Sequence, residues 1–301
     1  MDDRPLLPDD DPATNAARVA AIVASDTYRP ADRDLELLAS DNLRGARLAL
    51  DYEKTEMLLE QHGLAHAIVV FGSARIREPA VAFRNLEAAR AALRADPDDA
   101  TLATAARIAE RLAAHAEHYD AARELGRLVG ASQPRTGRER VVIMTGGGPG
   151  IMEAANRGAH DVGAQSVGLN ITLPREQSPN PYVSPELCVS FHYFAMRKLH
   201  FLRRACALVA FPGGFGTLDE LCETLTLIQT DKIAPVPVVL VDRRFWDRAI
   251  DVEFLIAEGM LSPGDRALFY YADSAADAWR YIREWHARAG TPGFPAADVP
   301  P

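Results

Sequence analysis

Two hydrophobic periodicities divide the chain. From residue 12 to residue 63, apolar positions recur at helical spacing, in ARVAAIVAS and again in LRGARLALDYEKTEMLLEQHG. That pattern predicts a helical N-terminal extension over 13–63. From Ala65 onward, short apolar, β-branched runs alternate with longer segments of helical period. AHAIVVFG, RVVIMTG, SVGLNI, ELCVSFH, CALVAF, PVPVVLVD and ALFYYAD read as buried strands. Residues 79–131 read as two helices parted at Asp96-Pro97-Asp98-Asp99, the second starting after an Asp cap. The other strands are followed by PGIMEAANRGAHDVG, a Pro-rich loop at 174–185, YFAMRKLHFLRRA, TLDELCETLTLIQTDK, RFWDRAIDVEFLIAEG and SAADAWRYIREWHARA.

Strands that alternate with helices imply parallel pairing through right-handed crossovers. Strands apolar on both sides imply a sheet covered on both faces. The expectation is an α/β protein with a Rossmann-like, doubly wound parallel sheet over 64–290 and helices on both faces. Residues 1–12 and 291–301 are expected to be tails, the first of them disordered. Ligands of such sheets bind beyond the carboxyl ends of the strands, so the informative residues follow the strands.

Composition narrows the partners. The chain has 301 residues and a net charge of -9. So acidic a surface repels nucleic-acid phosphates, whereas a small anion needs only a few local donors. No apolar run suits a bilayer span, and the acidic, Pro-rich N-terminus is unlike a secretory signal. Cys188, Cys206 and Cys222 lie in apolar stretches without C-x-x-C spacing. They are expected to be small buried thiols, with no metal cluster or disulfide framework, and fit a reducing cytoplasm.

Three strands end in glycine-rich turns: Phe71-Gly72-Ser73-Ala74-Arg75, Thr145-Gly146-Gly147-Gly148-Pro149-Gly150 and Phe211-Pro212-Gly213-Gly214-Phe215-Gly216-Thr217. Glycine lets backbone approach a ligand closely, and a helix starting there aims free N–H groups at an anion. One such turn is weak evidence; three after buried strands should line one edge of the same sheet. They form neither the dinucleotide fingerprint nor a P-loop. Thr217 and Glu220 have the T-x-x-E spacing of a capping box, in which Glu220 would only satisfy a backbone donor. Arg197 and Lys198, on the preceding helix, favour a site instead. They reach the same sheet edge, and arginine offers a forked donor for a phosphate or ribose hydroxyl. Arg203 and Arg204 read as a solvated basic face.

PGGFGTLDE resembles the P-G-G-x-G-T-x-x-E signature of the LONELY GUY (LOG) family, phosphoribohydrolases of cytokinin riboside 5′-monophosphates and related purine nucleotides such as AMP. GGGPGIMEAANRGA and MRK resemble its other glycine-rich element and its Arg-Lys motif. The likeness spans about 66 to 285, and LPREQSPNPYV, residues 173–183, resembles a loop of the family's longer bacterial branch. The resemblance implies that Arg197 and Glu220 are the catalytic pair. It also implies that Gly213, Gly214, Gly216 and Thr217 hold the phosphate. Gly72, Ser73, Gly146, Gly147, Gly148 and Lys198 are expected to complete the substrate site. The implied reaction is hydrolysis of a purine nucleoside 5′-monophosphate to free base and ribose 5-phosphate, without metal or redox cofactor, by at least a dimer. Many relatives carry an old lysine decarboxylase label, but no lysine here stands in a recognisable pyridoxal-phosphate context. The alternative is a binding protein that turns nothing over, as the molybdenum-cofactor carriers are thought to be.

Overall fold

Buried strand residues face two ways, and helices cover both. The computed structural model describes residues 12–132, 140–172, 178–291 and 294. Its elements, in chain order, begin with α1 (Pro12–Val23), α2 (Leu35–Ala39), α3 (Arg44–Gln61), β1 (His66–Phe71), α4 (Pro79–Ala95), α5 (Ala100–Ala114) and α6 (Glu117–Ala131). Next come β2 (Val141–Thr145), α7 (Ile151–Asp161), β3 (Ser166–Ile171), β4 (Cys188–Phe191), α8 (Phe194–Arg204) and β5 (Ala205–Ala210). The chain continues with α9 (Phe215–Gln229), β6 (Val238–Val241), α10 (Arg243–Ala249), α11 (Val252–Ala257), β7 (Tyr270–Ala272) and α12 (Ala275–Ala289).

The chain divides into two compact units, Met1–Leu50 and Asp51–Pro301. In the first, α1 and α2 have no buried residue. The Asp34 side chain accepts the Leu37 N–H at 3.0 Å and so caps α2. Arg47 donates to the Leu38 and Ser40 carbonyls, which closes the turn between α2 and α3. The expected helices at 13–63 are thus three, separated by short 3₁₀ turns.

The second unit carries a seven-stranded sheet in the order β4-β3-β2-β1-β5-β6-β7, every pairing parallel. All seven expected strands are present. Along β1, Ile68 and Val70 face one core and Ala67, Val69 and Phe71 the other. Residues of α6, α7 and α12, among them Leu125, Ile151 and Trp279, cover the first face. Residues of α3, α8, α9 and α10, among them Leu59, Phe201, Leu221 and Trp246, cover the second. β1, β2, β5, β6 and β7 therefore carry apolar residues to both faces, as a sheet buried by crossover helices requires, whereas β3 and β4 feed only the second core and Ser190 of β4 is exposed. Winding runs outward from β1 through β2, β3 and β4, then returns to β1's other side with β5. The strand order thus reverses between β1 and β5, where such folds open a crevice at the carboxyl edge.

Two expected helices are split. The stretch 79–131 holds three, because α5 ends at His115 and Ala116 turns inward to 2% exposure. No Gly or Pro marks that corner; burial of Ala116 beside Ala82, Leu86 and Ala113 makes it. The segment after β6 breaks at Asp251, whose side chain accepts the Phe254 N–H at 2.9 Å and starts α11. The expected tails lie outside the described residues except for Pro12, Thr291 and Phe294, as do residues 174–177 of the Pro-rich loop. Among the cysteines only Cys206 is buried; Cys188 is half-buried and Cys222 exposed. Among the described residues no helix is long and apolar enough to cross a membrane.

A candidate active site at the β1/β5 switch point

The carboxyl ends of β1 and β5 stay joined past the sheet. Phe211 N–H donates to Phe71 O at 2.9 Å, and Ser73 N–H to Pro212 O at 3.0 Å. Ser73 O in turn accepts the Ile151 N–H at 3.2 Å, which brings the start of α7 to the same edge. A cleft of about 500 Å³ opens above this junction. It gathers Gly72, Ser73, Gly146, Arg197, Gly214, Gly216, Thr217 and Glu220 from four separate segments. Arg75, Met152, Phe201 and Phe215 line it as well, and sequence reasoning named none of them as ligand contacts. Arg75 stood in the first glycine turn, and a cation directly after a glycine turn was the signal available.

Four expected site residues do not line the cleft: Gly147, Gly148, Gly213 and Lys198. Gly147 and Gly148 turn toward a buried polar network instead. Asn180 donates its N–H to Gly147 O at 2.7 Å and its side-chain amide to Gly148 O at 3.0 Å. Asn156 and Thr145 complete that network at 2.8 Å. Gly213 lies beneath Thr217 and shapes the turn. Lys198 is held by Asp219 at 3.0 Å and Glu223 at 3.1 Å, which ties α8 to α9.

Glu220 is not a cap. Helix α9 begins at Phe215 after Gly214, with no side-chain capping bond, so Thr217 is already inside the first turn. Thr217 N–H and Leu218 N–H both donate to Gly214 O at 3.0 Å. Glu220, one turn further, is 4% exposed. Burial pushes its carboxyl up to about 7, while the Lys198 and Arg197 cations pull the other way. Like-charged Glu223 and Asp219 add to the rise. A carboxyl in this range exchanges protons near neutrality.

Arg197 approaches from α8. Its guanidinium carbon lies 4.8 Å from the Phe194 ring centre and 5.7 Å from that of Phe201. Its Nε is buried without a hydrogen-bond partner. Burial lowers the pKa of this guanidinium, against the pull of Glu220 and Asp219. Arginine remains charged across any working pH, so the cleft holds a cation with a donor to spare.

Two acids on α3 fix α8 in place, and sequence reasoning missed both. Asp51 Oδ2 accepts the His192 and Tyr193 N–H groups, each at 3.0 Å, where α8 starts. Glu56 accepts from Arg203 at 3.0 Å and Arg204 at 2.8 Å. His200 Nδ1 lies 3.1 Å from Glu56 Oε1, without hydrogen-bond geometry. Burial pushes the Glu56 carboxyl up, but the Arg203 and Arg204 guanidiniums outweigh it and hold it below its ordinary value. The basic face is therefore not simply solvated: the Arg204 side chain is 15% exposed and also bonds Leu64 O at 3.0 Å.

Fold and cleft together define a Rossmann-like α/β protein whose switch-point site holds a buried carboxyl and a half-buried arginine in one cleft. A protein-family model described as "Possible lysine decarboxylase" matches residues 152–282, which takes in Arg197 and the whole 212–220 turn. A probable cytokinin riboside 5′-monophosphate phosphoribohydrolase of Oryza sativa subsp. japonica is 31% identical over 147 residues, 48% of this chain and 58% of that protein. A cytokinin riboside 5′-monophosphate phosphoribohydrolase of Arabidopsis thaliana is 28% identical over 158 residues, 50% of this chain and 71% of that protein. The resemblance to the LONELY GUY family read from the motifs is borne out. Among solved structures, a structural-genomics target is 24% identical with a TM-score of 0.45, covering 73% of this chain and 99% of its own. A Moco carrier protein from Chlamydomonas reinhardtii is 19% identical with a TM-score of 0.43, covering 74% and 98%.

Proposed function

We propose that the protein hydrolyses the N-glycosidic bond of a purine nucleoside 5′-monophosphate, AMP-like or cytokinin, to free base and ribose 5-phosphate. The observation that carries this reading is the shared cleft of Glu220, Arg197 and the 214–217 helix start. The phosphate sits at the N-terminus of α9. There the Phe215 and Gly216 N–H groups precede the first intrahelical bond, which Thr217 N–H makes to Gly214 O, and the Thr217 hydroxyl stands beside them. Binding energy gained there positions the ribose deeper in the cleft.

As the bond between C1′ and the base nitrogen breaks, its electrons leave with the base and positive charge develops on the sugar. Ionised Glu220 stabilises that charge and takes a proton from the water that attacks C1′. Arg197 donates toward the departing base or the ribose hydroxyls and stabilises the charge that leaves. The proton that Glu220 took is released and neutralises the base nitrogen, so the hydroxyl on C1′ and the hydrogen on the base together account for one water, and Glu220 returns ionised. The names of the plant relatives support a nucleoside 5′-monophosphate as substrate. Incubation with a panel of nucleoside 5′-monophosphates, each scored for released base, tests the reading. A purine preference supports it, and intact nucleotide throughout leaves a binding protein.

A further inference from the structure

Away from this cleft, the chain brings two imidazoles and a carboxylate together. His115 ends α5, His118 lies in the first turn of α6, and Asp242 follows β6. One ligand atom from each lies within 4.8 Å of the others. His118 Nε2 and Asp242 Oδ2 are 3.2 Å apart. The edge of a tetrahedron with ligand bonds of roughly 2.0–2.1 Å is roughly 3.3 Å, so this pair already has the spacing of two ligands on one zinc-sized ion. We propose that His115, His118 and Asp242 form a binding site for a divalent transition-metal cation of the zinc class.

Several features fit a built site better than a chance hydrogen bond. Asp242 adopts a left-handed backbone, with φ 72°. Few non-glycine residues do so, and Asp is among those that tolerate it. That turn splits the work of its carboxylate. Oδ1 accepts the Phe245 N–H at 3.1 Å and caps α10, while Oδ2 is aimed at His118. A ligand oxygen oriented by a bond to its twin is the arrangement metal sites use. The His118 ring is fixed: it is 7% exposed and stacks on His115 with ring centres 5.5 Å apart. His115 is only half-buried, so the third ligand is free to close onto an ion.

Access is open. His118 and Asp242 line a cleft of about 1070 Å³ at the carboxyl ends of β6 and β7. Glu117, Asp120 and Asp273 line it and draw cations, and Arg243, Arg244 and Arg248 line it as well. Two imidazoles and one carboxylate select borderline ions such as zinc over magnesium or calcium. Three protein ligands leave a fourth position toward the cleft, for water or an anionic group of a ligand. Sequence spacing hid the set, since His118 and Asp242 are 124 residues apart.

The test uses the untagged full chain, stripped with chelator. Zinc is titrated calorimetrically, and cobalt(II) is followed by its visible d–d absorption. The expected result is one equivalent per chain, with tetrahedral cobalt bands. Asp242→Asn keeps both the left-handed turn and the α10 cap but removes the anionic ligand; His115→Gln leaves the His118–Asp242 contact alone. Each should weaken binding by roughly 10–100-fold or more, since loss of a mere supporting partner costs that much. Folding of the apo variants is checked by circular dichroism. No binding by the wild-type chain overturns the proposal. So does binding unchanged in both folded variants, because the ion then sits on other histidines.

Discussion

Gly213 packs so closely under Thr217 that a Cβ at this position would lie 2.1 Å from the Thr217 Oγ1. The site's threonine is therefore held by the absence of a side chain four residues earlier. Gly213→Ala must push Thr217 and the first turn of α9 away from the cleft. The expected effect is a KM for nucleotide raised by roughly tenfold or more, as the phosphate contact is spoiled. Steady-state base release checks it, and an unchanged KM removes Thr217 from the phosphate site.

Arg197→Lys keeps the charge and loses the fork. A buried Nε with no partner is a donor held for something the cleft receives. Turnover should fall by roughly 10²-fold or more, the scale for a lost transition-state donor, while circular dichroism stays that of the wild type. Wild-type kinetics would leave Arg197 as a packing cation between Phe194 and Phe201.

The Glu220 carboxyl, pushed up to about 7, gives a pH dependence of known sign. Its ionised form does the work, so kcat/KM should climb with pH and level off above about 7. A profile flat from about pH 6 to about pH 8, roughly one unit either side of the carboxyl's value, contradicts the assignment. The same shift costs stability. Between its ordinary 4.5 and about 7 the folded state binds more protons than the unfolded one, so stability falls as pH rises through that window. Glu220→Gln should therefore raise Tm at pH 8 and leave it near the wild type at pH 4.5.

Removal of the acid under α8 acts differently. Glu56→Ala leaves the Arg204 guanidinium, whose side chain is only 15% exposed, without its carboxylate and should cost about 3 kcal/mol in urea unfolding. A loss within about 0.5 kcal/mol would make Glu56 a surface acid in effect.

The sheet was legible because AHAIVVFG, RVVIMTG, CALVAF, PVPVVLVD and ALFYYAD carry apolar residues to both faces of their strands, and SVGLNI and ELCVSFH to one. The meeting of Gly72, Arg197 and Glu220 was legible too, since residues after strands of a parallel sheet share one edge. Three things were hidden by tertiary packing. Thr217 looks like a cap in sequence, yet α9 starts two residues earlier at Phe215. Gly147 and Gly148 look like phosphate loop, yet Asn180, more than thirty residues on, takes their carbonyls. Arg204 looks solvated, yet an acid 148 residues away pairs with it. Periodicity reports which face of an element is buried; it does not report which distant polar group meets it there.

The most direct test of the account is incubation of AMP with wild-type protein and with Glu220→Gln, with adenine and ribose 5-phosphate measured together. The account predicts equal amounts of both products from the wild type. It predicts a rate lower by roughly 10²–10⁴-fold from the variant, with nucleotide binding retained, and little base from adenosine, which lacks the phosphate. Wild-type turnover by Glu220→Gln, or equal efficiency on AMP and adenosine, would contradict it.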